Sequence, residues 1–189
     1  MRRAAADNPT YPICRCVLAH MLAETGQTAA ATAELEGLAS HGFELLPFDE
    51  EWQVSLCLLA EAATRLGDRT RAGQLYDLLL PYAHRFAISY PEICIGPVSR
   101  YLGMLATVTA RWDDAERHFT DATEASARIG ARPSLAHSWA GHAEMLLARD
   151  PASADAAALL DGAVGTYREL GMDPFAARTA GLIKRTAPA

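Results

Sequence analysis

The sequence predicts an all-α fold, and three observations carry that prediction. Roughly one residue in five is Ala, Leu is also abundant, and β-branched residues are too scattered for an alternating strand. Apolar residues recur at helical spacing in stretches separated by short breaks at Gly26, Gly42 to Pro47, Gly67, Pro91 to Pro97, Arg111-Trp112, Arg132-Pro133, Asp150-Pro151 and Gly171 to Pro174. Small and large residues also return in register from one stretch to the next, which marks an internal repeat.

Taken in order, the breaks leave four antiparallel helix pairs within one domain over 12–185, with flexible tails at 1–11 and 186–189. The pairs occupy about 12–40, 50–85, 97–129 and 134–170, and a closing helix follows at about 174–185. Within them the expected helices are 12–25 and 28–40, 50–66 and 70–85, 97–110 and 113–129, then 134–148 and 153–170. Start signals accompany several: Asp49 before Glu50-Glu51-Trp52, Asp113 three residues ahead of Glu116, and Ser134 after Pro133. Stop signals are Gly26, Gly42, Gly67, Gly130 and Gly171, each placed where a left-handed residue ends a helix. Phe175, Thr179, Leu182 and Ile183 form the stripe by which the last helix would cover the fourth pair.

The repeat is read by aligning the small residue early in each second helix. Ala31, Ala72, Ala115 and Ala156 are spaced 41, 43 and 41 residues apart. One turn later on the same face stand Leu35, Tyr76, Phe119 and Leu160. Twelve residues before Ala31, Ala72 and Ala115 stand Ala19, Ala60 and Gly103 in the first helices, and Gly141 takes that place in the fourth pair if Asp150-Pro151-Ala152 absorbs an insertion. Small residues there let two helices approach, and the large group fills the gap toward the next pair, so packing explains all of them.

Leu102-Gly103, then Ala115 and Phe119, resembles the tetratricopeptide pattern of Leu-Gly followed by Ala-x-x-x-Phe, with Ser99 and Ala106 in place of its aromatics. Further residues extend the likeness: Arg100-Tyr101, Arg111-Trp112-Asp113-Asp114, Glu116-Arg117-His118, Gly130-Ala131-Arg132-Pro133 and Tyr167-Arg168-Glu169-Leu170-Gly171-Met172. Together they are similar to the helical-repeat regions of large bacterial signalling proteins, the LuxR-type ATP-dependent regulators and nucleotide-cyclase relatives. The resemblance implies a superhelical array and a regulatory or signalling setting, including transcription regulation. The nucleotide-binding function of those proteins does not carry over, since no Gly-x-x-x-x-Gly-Lys-Ser/Thr loop occurs.

A net charge of −6 and a pI of about 5.5 argue against a surface that follows nucleic-acid phosphates. The richest apolar window, Val54 to Ala63, is broken by Ser55 and Glu61, so no membrane span is expected. Cys14, Cys16, Cys57 and Cys94 are irregularly spaced with no secretory segment ahead of them, which predicts reduced thiols in a cytoplasmic protein. Cys16 and His20 are one turn apart but lack a second ligand pair, so neither metal nor cofactor is expected. His137 and His142, five residues apart, point to different parts of a helix, and no catalytic constellation is recognisable.

Candidate binding residues follow from geometry. In a repeat array the first helix of each pair lines the concave surface, and the residues beside its packing positions face the groove. That selects Cys57, Glu61, Arg65, Arg100, Met104, Ser138 and His142, with Cys16 and His20 from the first pair. Arg100, near the centre of the array, is the expected anchor for an acceptor group, offset from the packing edge. The function expected is non-enzymatic recognition of a protein or peptide segment, with a small effector possible. Two alternatives stand beside it: a groove closed into the pocket of a small enzyme or ligand-binding protein, and a homodimer formed through an uncapped first repeat exposing Ile13, Val17 and Leu18.

Overall fold

Ala-rich helices separated by short turns give the element order of the chain. The computed structural model describes residues 11–89 and 93–186. The tails expected at 1–11 and 186–189 lie almost wholly outside the described residues. The helices are α1 (Pro12–Glu24), α2 (Thr28–Ala39), α3 (Trp52–Leu66), α4 (Arg69–Leu79), α5 (Val98–Val108), α6 (Trp112–Arg128), α7 (Arg132–Arg149), α8 (Asp155–Glu169) and α9 (Asp173–Thr186). Short 3-10 turns follow α2 at Ser40–Phe43 and α4 at Leu80–Tyr82. The fold is therefore mostly helical, with one small sheet. No described helix is long and apolar enough to cross a membrane.

Gly26, Gly67, Gly130 and Gly171 end α1, α3, α6 and α8 where the sequence places them, with φ between 65° and 72°, whereas Gly42, at φ 68°, lies inside the 3-10 turn after α2, which ends at Ala39 with an extended Ser40. After α5 the same left-handed position falls to Ala110, at φ 60°. The start signals differ from expectation. Asp49 accepts the Glu51 amide at 3.0 Å in a turn that precedes α3 instead of capping it. Asp113 lies inside the first turn of α6, where its charge suits the helix dipole, and Ser134 lies inside α7, which begins at Arg132 with Pro133 in its first turn. The side-chain cap belongs to Asp68, which accepts the Arg71 amide at 3.0 Å.

The expected break around Pro91 to Pro97 contains a hairpin. Strands β1 (Phe86–Ser89) and β2 (Ile93–Pro97) pair antiparallel, with a register shift between Ala87 and Ile88. Aromatic and β-branched residues crowd this stretch, and Gly96, at φ 115°, adopts a conformation closed to other residues. Each strand of the hairpin is tied to a helix-side residue: Ser89 Oγ of β1 donates to Glu51 at 2.7 Å, and the Tyr101 hydroxyl donates to the Ile95 carbonyl of β2 at 2.8 Å.

Each helix packs on its successor, and α1, α3, α5 and α7 also pack in series, α1 on α3, α3 on α5 and α5 on α7. Every small and large residue singled out by the repeat alignment except Gly141 is buried, and Gly141 is half-buried. The tightest join is at Phe119. A Cβ added to Gly103 would come within 2.9 Å of its ring, and one added to Gly141 within 2.7 Å. Phe119 of α6 thus wedges between α5 and α7 because neither presents a side chain there. At the ends, Leu18 is buried and Ile13 half-buried within the chain itself, while Thr179 of α9 is buried and Leu182 and Ile183 pack on the main core.

Candidate functional site

On the side of α5 and α7 facing away from Phe119, the first helices of the four pairs surround a cavity of about 660 Å³. Helical spacing brings one stripe from each: His20 and Glu24 of α1, Glu61 and Arg65 of α3, Arg100 and Met104 of α5, and His137, Gly141 and Glu144 of α7. Cys94 and Ile95 of β2 add a further edge. Tyr167 of α8, with Phe175 and Arg178 of α9, closes the end of the space.

Of the residues selected from sequence, Glu61, Arg65, Arg100, Met104 and His20 meet in this cavity. Ser138 and His142 do not. Ser138 is buried and donates to the Ser134 carbonyl at 2.9 Å. His142 stacks on Phe119 with centroids 5.7 Å apart, on the packing side of α7. Cys16 and Cys57 are buried behind the lining, and burial pushes both thiols upward, that of Cys16 to about 12. Both choices on α7 are one residue out of phase: the cavity takes the neighbours, His137 and Gly141.

The charges are organised as two linked groups. Glu61 is the hub of the inner one, with Arg100 Nη2 at 2.6 Å from one carboxylate oxygen and His20 Nδ1 at 3.1 Å from the other. The His20 approach is close in distance but not aligned as a hydrogen bond. Burial alone would raise the Glu61 carboxyl, and Arg100 and then His20 more than reverse this, holding it below its ordinary range. Arg100 also lies over the Tyr101 ring, 4.6 Å from its centroid. Its side chain is only 12% exposed, so the expected free anchor is a buried, committed partner. In the outer group one carboxylate, Glu24, serves two guanidiniums, Arg65 at 2.7 Å and Arg178 at 3.3 Å. The Arg178 contact ties the last helix to the first.

His137, Tyr167 and Phe175 form an aromatic cluster, with His137 and Phe175 centroids 4.8 Å apart. The His137 Nδ1 and Tyr167 hydroxyl are hydrogen-bonded at 2.7 Å. Burial, aided by Arg100, lowers His137 to about 4, and burial raises Tyr167 to about 12, so this pair holds its proton in one place at neutral pH. Glu144 has no hydrogen-bond or ion-pair partner among the described residues. Water reaches it through the cavity, yet the protein atoms around it raise its carboxyl, an effect that Arg178, Arg65 and Arg100 only partly oppose from a distance.

All four cysteines are free; Cys94 is exposed and Cys14 half-buried. Among the described residues no three His, Cys, Asp or Glu side chains converge to hold a metal ion. Comparison with protein-family models, with curated proteins and with solved structures gave no match.

Proposed function

We propose that this chain is a non-enzymatic recognition module: a tetratricopeptide-like superhelical array whose concave groove is narrowed by α9 and the hairpin into a cavity for a compact ligand, either a small effector or the end of a peptide. The observation that carries this reading is the convergence of Glu61 and Arg65 of the second pair and Arg100 of the third on one cavity with aromatic walls. Its volume is in the range of pockets that enclose small molecules, and its lining combines apolar area with a few placed charges. The 41- to 43-residue spacing and the serial packing of α1, α3, α5 and α7 support the repeat. A regulatory role in a signalling protein of the cytoplasm is the setting in which such a module fits.

Cys94 provides the test, because it is the exposed thiol on the cavity edge while Cys14 lies outside it. Alkylation of both is followed by mass spectrometry across a panel of small metabolites and short peptides. A ligand in the cavity slows modification of Cys94 and leaves Cys14 unchanged. Uniform rates across the whole panel would remove the binding reading.

A further inference from the structure

The charge pairing inside the cavity narrows the chemistry of its ligand, given the recognition reading above. Three carboxylates and three guanidiniums face the space, so it is neutral when all are ionised. The pairing is uneven. Glu61 and Arg100 satisfy one another deep in the wall. Arg65 and Arg178 must share Glu24, which leaves one guanidinium's worth of positive charge at that rim without its own counter-charge. Glu144 is left with none. It sits one helical turn beyond Ala140, whose small side chain lines the same wall of α7. His137 adds no charge, because it stays neutral near pH 7.

A rim with one surplus positive charge and an unmatched carboxylate that do not pair with each other describe the negative image of a dipolar molecule. We propose that the cavity binds a zwitterion of the amino-acid type, a free apolar α-amino acid or a dipeptide, with its ammonium on Glu144, its carboxylate on the Arg65–Arg178 rim and its side chain against Phe175, Tyr167 and Met104. Each ionised end then gains a charge-assisted contact in a partly dry site. A monovalent cation or anion of the same size satisfies one pole and leaves the other uncompensated. A net-neutral ligand also binds without a large salt dependence, since it brings no excess charge to screen.

The probe is leucyl-phenylalanine, titrated calorimetrically into the intact protein beside L-phenylalanine, N-acetyl-phenylalanine and phenylalaninamide. The expected result is binding of the dipeptide or the amino acid, with at least tenfold loss for both blocked compounds. Glu144→Gln weakens the zwitterion at least tenfold while leaving the already weak N-acetyl compound unchanged, and Arg178→Gln does the converse with the amide. Melting temperatures of the variants show that each is folded. Equal affinity of blocked and unblocked compounds, or a Glu144→Gln protein that binds the dipeptide like wild type, would overturn the inference. If no zwitterion binds but a different compound protects Cys94, the zwitterion is wrong and the recognition module stands; if nothing protects Cys94, both fall.

Discussion

The two faces of α7 treat similar residues in opposite ways. On one, Gly141 and His142 meet the Phe119 ring in a seam so close that a single methyl group at Gly141 would collide with it. On the other, His137 and Glu144 look into a cavity large enough for a small molecule. The first face has no unused space and little charge; the second has both. A helix that is dry on one side and open on the other must be held by its packed side, so the proposed recognition role falls on a different face of the same element from its stability.

The largest effect expected is therefore on the packed face. Phe119→Ala removes the wedge between α5 and α7 and is expected to cost about 3–5 kcal/mol, read from urea denaturation. Gly103→Leu tests the same seam from the opposite direction, since a side chain at Gly103 meets Phe119 within 2.9 Å, and overpacking is expected to cost about 3 kcal/mol. Either variant unfolding like wild type would mean that the seam is softer than its distances.

Arg100→Ala blurs the division and so sharpens it. Arg100 lines the cavity, yet its loss leaves Glu61 with His20 alone in a wall where both ion-pair members are largely buried. The expected cost is about 3 kcal/mol, and the double replacement Arg100→Met with Glu61→Leu recovers most of it, because the uncompensated charge is then gone. A stable single variant would return Arg100 to the role of free anchor.

Smaller is the acid response. His137 binds its proton at about 4 when folded and near its ordinary value when unfolded, so the unfolded chain takes up more protons between these two values. His137 thus contributes stability that is present above about pH 6.5 and is lost as the pH falls toward 4. Burial lowers His118 and His142 as well, and both add in the same direction. His137→Gln is expected to flatten part of the Tm decline over that interval; an unchanged pH profile would contradict the burial of its imidazole. Least is Ala110→Gly, which relieves the left-handed Ala after α5 and is expected to add about 1 kcal/mol.

How far the sequence reads through follows the same division. The packed face obeys helical spacing and small-residue logic, which is local information, and Ala31, Ala72, Gly103 and Phe119 fall where that logic puts them. Three of the four cavity stripes were legible for the same reason. On α7 the phase slipped by one residue, because Gly141 borders both the seam and the cavity and gives no hint of which side its neighbours take. Phe175 and Arg178 reach the site through the return of α9 to α1, a contact across 154 residues that no spacing encodes. The hairpin was hidden behind Pro91 and Pro97, whose punctuation outweighed the short run of Phe86, Ile88, Ile93 and Ile95.

The division of labour is tested most directly by measuring Tm and ligand affinity on one Glu144→Gln preparation. The raised carboxyl of Glu144 means that its charge works against the empty fold near neutral pH, so removing that charge should leave Tm unchanged or slightly higher while dipeptide binding falls at least tenfold. A lower Tm with full affinity would show that Glu144 belongs to the scaffold and that the open face of α7 is not where this protein recognises its ligand.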